Sequence, residues 1–212
     1  FVFPTSEIYV GLANSYDYGP MGVELLRSIR NLWWTEMIHK RTDMVGLDSQ
    51  IMLHPETWVA SGHVASFSDP LVEDTVTKKR YRADHLIESW LEKHPEVEVG
   101  AVEDMNLAEM GAFISERKVL SPDGNPLTEP RTFNLLFETA IGSVAGEKAK
   151  VYLRGETAQG IFSDFKNILD STRVQLPFGV GQIGKSFRNE ITTGQFVFRT
   201  LEFEQAEIEY FF

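Results

Sequence analysis

Apolar and polar residues alternate along two stretches near the C-terminal end of the chain. Residues 178–190 (FGVGQIGKSFRNE) and residues 196–212 (FVFRTLEFEQAEIEYFF) each show the pattern of a β-strand. Successive side chains of a strand point to opposite faces, so alternation indicates a strand with two different faces. The turn-prone residues around Gly194 lie between the two stretches. The pattern therefore predicts an antiparallel hairpin with a loop at Gly194.

Other parts of the chain show helical spacing or short apolar runs. Adjacent Trp33 and Trp34 cannot both enter one narrow core stripe, so the first helix is either thickly buried or presents its second tryptophan to a partner subunit. The predicted helices span about 21–40, 82–93, 106–118 and 156–170, with a short one within 54–63. The predicted strands span 45–53, 132–137 and 151–154, with a polar loop at 142–150.

One face of the predicted hairpin is unusually polar. In the first strand it carries Gln182, Gly184, Ser186, Arg188 and Glu190, and in the second it carries Arg199, Phe203, Gln205 and Glu207. Arginines suit phosphates, an aromatic ring suits stacking and carboxylates suit N–H donors. The face therefore favours an anionic ligand with a planar ring and an amine. The alternative is a solvated face of exposed charge.

Composition and charge limit the possible functions. A chain of 212 residues holds one large domain or a domain with an insertion, and its 42% hydrophobic content allows a real core. It has no cysteine, which excludes disulfides and cysteine-based zinc sites and is compatible with a cytoplasmic location. No apolar run reaches membrane-spanning length, and the first residues are not typical of a signal peptide. A net charge of −11 argues against binding nucleic acid by electrostatics alone.

Three motifs carry a resemblance to a known family. The segment Phe187-Arg188-Asn189-Glu190, a loop and then Arg199-x-x-x-Phe203 resembles motif 2 of class II aminoacyl-tRNA synthetases. With residues 154–162 (RGETAQGIF) and 202–207 (EFEQAE), the chain closely resembles the homodimeric glycyl-tRNA synthetases along nearly its whole length. The resemblance implies ATP-dependent activation of glycine to glycyl-adenylate and transfer to tRNA(Gly).

The resemblance also implies an architecture. We expect an α+β fold of the class II type, an antiparallel sheet flanked by helices. Residues 1–63 and 131–212 would form the catalytic core, and residues 64–130 an inserted subdomain. Residues 21–55 resemble motif 1, which builds a homodimer interface in that family. Motif 3 and the anticodon-binding domain would lie beyond residue 212, so we expect a truncated catalytic domain with little turnover by itself.

The resemblance assigns roles to individual residues. Arg188, as the catalytic group, would hold the α-phosphate and the amino-acid carboxylate, while Glu190 accepts from the adenine amino group, Phe203 stacks on adenine and Arg199 reaches the distal phosphates. Asn189, Phe198 and Thr200 would complete the ATP site, with Mg²⁺ expected alongside ATP. Glu156 and Glu207 would hold the glycine ammonium, with Arg82, Gln159 and Gln205 lining that pocket. Without the resemblance, Glu156 is better explained as an acid in the first turn of a helix.

The chain departs from the family in three ways. Gly155 stands where proline is usual, which loosens the loop carrying Glu156, and Leu201 stands where arginine is usual. Some members bind zinc through cysteine pairs in the insertion, and this chain has none, so we expect no zinc and no other structural metal. We interpret the histidines, among them His63, as structural. Two alternatives remain: a non-catalytic, synthetase-like accessory subunit, and a fragment that folds or dimerises without reacting.

Overall fold

A computed structural model describes residues 1–142, 149–191 and 196–212, and the chain divides into two compact units. The first unit comprises Phe1–Val64, Leu136–Asn189 and Thr193–Phe212, and the second comprises Ala65–Leu135 and Glu190–Thr192. Both units contain helices and antiparallel sheets, so the chain is a mixed α+β protein. No helix in the described ranges is long and apolar enough to cross a membrane.

The regular elements of the described residues are short apart from two helices and two strands. The strands are β1 Val2–Pro4, β2 Tyr16–Tyr18, β3 Met44–Gly46, β4 Met52–Leu53, β5 Ser68–Glu73, β6 Arg80–Arg82, β7 Arg131–Asn134, β8 Glu138–Ile141, β9 Ala149–Leu153, β10 Phe178–Phe187 and β11 Glu202–Phe211. The α-helices are α1 Pro20–Trp34, α2 Pro55–Ala60, α3 His63–Ser66, α4 Ala83–Leu91, α5 Leu107–Arg117 and α6 Ala158–Thr172. A π-helical turn, Thr35–His39, extends α1.

Strands β10 and β11 form the predicted antiparallel hairpin, which is confirmed. Gln182 lies opposite Glu207, Gly184 opposite Gln205 and Ser186 opposite Phe203, so these six residues share a face as predicted. Arg188, Glu190 and Arg199, which were expected on the same face, lie outside the two strands. The strands are shorter than predicted: β10 ends at Phe187, and β11 begins only at Glu202. The predicted loop around Gly194 lies outside the described residues.

The prediction that the second strand begins at Phe196 is wrong. Residues Phe196–Phe198 form a 3₁₀ turn, and Phe196 has a φ of 49°. Arg199 therefore precedes β11, and strand alternation does not place it on the face of Phe203. The sheet is not wholly antiparallel either, because β3 pairs with β10 in parallel, with Val45 opposite Val180.

The two faces of β10 are used differently along the strand. Phe178 and Val180 are fully buried against Ile161 and Ile168 of α6, so this end belongs to the core. Further along, the same face changes to polar residues, and Gln182 and Ser186 remain fully buried. The hairpin thus passes from the hydrophobic core into the polar site without a change of face.

Glycines on the opposite face allow close helix packing. A Cβ on Gly181 would lie 2.4 Å from Ile38 Cδ1, and one on Gly46 would lie 2.4 Å from Trp34. Trp33 also lies beside Gly181, 3.3 Å from that Cβ position. Both tryptophans therefore pack against the sheet of their own chain.

Several predicted boundaries differ because non-local partners decide them. The predicted strand 45–53 is two short strands, β3 and β4, with an irregular segment between them. There, the backbone N–H and hydroxyl of Ser49 both donate to Gln182 Oε1, at 3.2 and 3.0 Å. Strand β8 was not predicted and pairs with β9. By contrast, the helix capped at Asn106 is confirmed, with a reciprocal capping box to Glu109.

The second unit has its own core and a polar connection between loops. Strand β5 pairs with β6 and β7, and α4 and α5 supply buried residues such as Ile87 and Phe113. Fully buried Asp74 accepts hydrogen bonds from Ser121 at 2.6 Å and Asn125 at 3.1 Å. Burial opposes ionisation, but these bonds and those from two backbone N–H groups hold the Asp74 pKa below its usual range. The network ties the loop after β5 to the turn that follows α5.

Candidate functional site

Three carboxylates of the first unit lie near one another where α6 begins beside β11. Glu156 precedes the helix, and Glu207 and Glu209 belong to the strand. Thr157, the fully buried N-cap residue of α6, donates its hydroxyl hydrogen to Glu207 Oε2. This bond fixes the start of the helix to the strand and orients the Glu207 carboxylate.

Glu209 is the functional candidate that the sequence analysis missed. Burial raises its pKa above the ordinary value, and the negative charges of Glu207 and Glu156 raise it further. Repulsion of this kind indicates that negative charge is concentrated around Glu209. Alternation could have found this residue, since Glu209 follows Glu207 by two positions and shares its face.

Glu156 is held by side chains rather than by a helix dipole. Helix α6 begins at Ala158, so the interpretation of Glu156 as a first-turn acid is wrong. Gln159 Nε2 donates to Glu156 Oε1 at 2.7 Å, and His63 Nε2 lies 3.3 Å from the same oxygen. The side-chain amide oxygen of Gln159, Oε1, is buried and has no hydrogen-bond partner in the described part of the chain. An acceptor of that kind beside a carboxylate suits an N–H donor of a ligand.

Arg188 lies between the acidic residues and an aromatic ring. Its Nε donates to the Gly155 carbonyl at 3.0 Å, and one terminal nitrogen lies 3.9 Å from Glu156 Oε2. The guanidinium carbon lies 5.3 Å from the centre of the Phe203 ring. Gly155, the departure from the usual proline, therefore takes part in the site by orienting Arg188 through its backbone.

Arg154 is a second arginine of the same region but has a structural environment. It is 2% exposed, and its donors reach the carbonyls of Lys185 at 2.6 Å and Ser49 at 2.8 Å. Burial lowers its pKa. Arg154 therefore has a structural role, because its guanidinium connects two segments of the chain through their backbone carbonyls. Of these two arginines, Arg188 is the one placed to bind a ligand.

The other predicted residues of the hairpin are distributed around this centre. Gln205 accepts from Ser186 Oγ at 3.1 Å, and the Thr200 hydroxyl donates to the Glu202 carbonyl at 2.7 Å. Phe198 is 88% exposed in the 3₁₀ turn. Asn189 follows β10, and Arg199 follows the 3₁₀ turn; both are partly buried.

Arg82 and Glu190 belong to the second unit. Arg82 donates to Asp84 at 2.6 and 3.1 Å and pairs with Asp69 at 2.9 Å. These carboxylates, Asp84 first, raise the Arg82 pKa, and the charge of Glu190 adds to the effect. A cleft of about 590 Å³ beside Arg82 is also lined by both aspartates. A carboxylate ligand there would meet a guanidinium that already has two acidic partners.

Two features of the described residues bear on metal and anion binding: the arrangement of potential metal ligands and the basic run 78–82. No group of three or more His, Asp and Glu side chains in these residues is arranged so that it could hold a metal ion. The basic run 78–82 is largely paired: Lys79 lies 2.8 Å from Asp123, and Arg80 lies 3.9 Å from Glu73. Such pairing reduces the positive potential that the run presents to an anion.

The curated proteins that the chain resembles are glycine–tRNA ligases. No protein-family model matches the chain. The chain is 52% identical over 213 residues to the glycine–tRNA ligase of Caldanaerobacter subterraneus subsp. tengcongensis, covering 100% of this chain and 46% of that protein. It is 47% identical over 226 residues to that of Chlorobaculum tepidum (100% and 48%) and 52% identical over 213 residues to that of Ureaplasma urealyticum serovar 10 (100% and 44%). The chain thus spans somewhat less than half the length of the curated relatives it matches.

Proposed function

We propose that this chain, which belongs along its whole length to the glycine–tRNA ligase family, carries the amino-acid and ATP site of that activity. The reaction would begin when a glycine carboxylate oxygen attacks the α-phosphorus of ATP. An O–P bond to glycine forms, the bond to the β-phosphate oxygen breaks, and pyrophosphate leaves. Transfer of the glycyl group from the adenylate to tRNA(Gly) would follow.

The convergence of Glu156, Glu207 and Glu209 beside Arg188 is the observation that carries the proposal. An α-amino acid carries its ammonium and its carboxylate on the same carbon atom, which matches a cluster of acids next to a guanidinium. The raised Glu209 pKa supports a site in which a bound cation would neutralise clustered negative charge. Arg188 would bind the carboxylate and the α-phosphate and neutralise charge as the transition state forms.

The adenine side of the site rests on Phe203 and its neighbours. Phe203 already lies under the Arg188 guanidinium and would stack on the base. Arg199, Asn189, Phe198 and Thr200 would contact the rest of ATP, and Glu190 would accept from the adenine amino group. Mg²⁺ would arrive with the ATP phosphates, which is its usual mode of binding in nucleotide sites.

Selection of glycine would follow from lack of room. Gln159 and Gln205 would fill the pocket beside the acids. Steric exclusion of a side chain can exceed the roughly 10–200-fold discrimination available from one favourable methylene contact. A site built this way needs no separate editing step.

We further propose the class II arrangement around this site, with the antiparallel hairpin of β10 and β11 in the catalytic sheet. Residues 64–130 would form the inserted subdomain. The net charge of −11 makes this part of the protein a poor electrostatic platform for tRNA, so contacts elsewhere would supply the positive surface. A ligase of this kind would act in the cytoplasm.

A homodimer would form through the apolar stripe of α1. Met21, Leu25, Ile29 and Leu32 recur at helical spacing, and each is more than half exposed. Four exposed apolar residues on one helical face are typical of an interface. A two-fold contact of this stripe with its copy would bury them.

The test is amino-acid-dependent exchange of pyrophosphate into ATP by the full-length protein that contains this chain. Glycine should support exchange, and alanine and serine should support it very poorly. Glu156→Gln should weaken the response to glycine, while Glu138→Gln, which changes an exposed acid paired with Lys150, should not. Equal exchange with alanine or serine would contradict the pocket assignment. Tight nucleic-acid binding without exchange for any amino acid would favour the accessory-subunit alternative.

A further inference from the structure

His63 is brought to the acidic site by a turn that the local sequence dictates. Helix α2 ends at Ala60, and Gly62 follows with a φ of 81°, in the left-handed region that favours glycine. The Gly62 N–H donates to the Val59 carbonyl at 3.1 Å, which closes the turn. The chain therefore folds back, and the His63 ring meets the edge of fully buried Trp58 with 5.2 Å between ring centres.

Both ring nitrogens of His63 face a polar partner. Nδ1 lies 2.9 Å from Ser61 Oγ, and Nε2 lies 3.3 Å from Glu156 Oε1. A carboxylate oxygen only accepts, so the nitrogen that faces it carries the hydrogen. Ser61 Oγ lies closer to Nδ1, at 2.9 Å, than to its other acceptor, the Trp58 carbonyl at 3.4 Å, so its single hydroxyl hydrogen is better placed for Nδ1. Ser61 therefore favours the neutral tautomer with hydrogen on Nε2.

Glu156 Oε1 also accepts a hydrogen bond from the side-chain amide of Gln159. Oε1 of Glu156 thus has two partners on one side, His63 and Gln159, while Oε2 lies 3.9 Å from a terminal nitrogen of Arg188. Two donors at one oxygen fix the plane of the carboxylate group. The arrangement leaves Oε2 oriented on the side of Arg188.

We propose that His63 is a positioning residue for amino-acid recognition: held by Ser61 and Trp58, it orients Glu156 toward the ammonium group of the substrate. The inference rests on the proposed function, since it takes Glu156 as the ammonium partner. It replaces the interpretation of His63 as a purely structural histidine. His63 touches neither ATP nor the reacting atoms in this scheme, so its effect is specific to the amino acid.

Three variants of the full-length protein test the role, measured by pyrophosphate exchange with glycine and ATP varied separately. His63→Ala should raise the glycine KM roughly ten- to hundred-fold, as expected for loss of a hydrogen bond to a charged group, and should leave the ATP KM within about twofold. His63→Gln should recover most of the loss, because its amide nitrogen can occupy the position of Nε2. His63→Asn should not, because its shorter amide reaches only the position of Nδ1.

The Gln and Asn variants are a matched pair, so their comparison remains decisive even if the alanine variant is unstable. Equal glycine KM values in the wild type and the Asn variant would overturn the proposal. So would a parallel rise in the glycine and ATP KM values, which indicates general damage. Glu156→Gln separates the positioning role of His63 from the glycine site itself. If Glu156→Gln raises the glycine KM while the His63 variants keep the wild-type value, only the positioning role is overturned. A normal glycine KM in Glu156→Gln overturns the proposed glycine site itself.

Discussion

Replacing Gly184 with alanine tests whether the buried hydrogen bonds of Arg154 stabilise the fold. Gly184 lies in β10, where a Cβ would sit 2.1 Å from a terminal nitrogen of Arg154 and 3.3 Å from its guanidinium carbon. The guanidinium is buried and is held by the carbonyls of Lys185 and Ser49. The new methyl group therefore cannot be accommodated without moving the arginine away from at least one of its acceptors.

The expected cost has two parts. Overpacking of a buried position costs about 1–3 kcal/mol. Loss of one hydrogen bond between a charged donor and a buried carbonyl adds about 1.5–3 kcal/mol. We expect Gly184→Ala to lower the free energy of unfolding by about 3–5 kcal/mol, a large share of the 5–15 kcal/mol typical of a domain.

Urea denaturation of the full-length protein measures this change, with Gly100→Ala as the matched control. A Cβ on Gly100 meets no atom within 4 Å, so the control should stay within about 0.5 kcal/mol of the wild type. In an Arg154→Met background, Gly184→Ala should cost at least about 1 kcal/mol less, because the clashing group is gone. A Gly184→Ala protein as stable as the control would refute the account of Arg154.

Three further outcomes follow from the site and from α1. Arg188→Ala should weaken ATP binding in calorimetry more than Phe203→Ala, since it leaves phosphate charge unpaired whereas a lost stack costs about 1–3 kcal/mol; equal affinities would count against the assignment. Because the Glu209 pKa is raised, its carboxylate forms at a higher pH than that of an ordinary glutamate, so glycine affinity should increase as pH rises through this ionisation. Glu209→Gln should flatten that rise and should stabilise the fold at neutral but not at acid pH. Leu25→Glu with Ile29→Glu should give a monomer by light scattering, and an unchanged mass would exclude the α1 stripe as the interface.

Features encoded locally could be predicted from the sequence. The sequence predicts a helix from residue 106, and the structure begins that helix with a capping box in which Asn106 and Glu109 lie within four residues. The alternation put Gln182 and Glu207 on one face of the hairpin, and the structure pairs these two residues across the strands. Backbone geometry alone sets such relations, so no knowledge of the rest of the fold was needed.

Features that depend on distant partners could not be predicted. The segment that contains Ser49 reads as one strand, but Gln182 bonds Ser49 from 133 residues away and interrupts it. The approach of His63 to Glu156 joins segments 93 positions apart, and nothing near either residue signals it. Glu209 is the exception, since its place beside Glu207 on one strand face was visible in the alternation and was overlooked.

The most direct test of the central claim is the glycine KM of Glu207→Gln in the full-length protein, measured beside its ATP KM. Glutamine keeps the size of the side chain and an oxygen that can accept from Thr157, so the change removes charge with little else. If the acids bind an ammonium group, the glycine KM should rise at least about tenfold while the ATP KM stays within about twofold. An unchanged glycine KM, or an equal rise in both constants, would contradict the account.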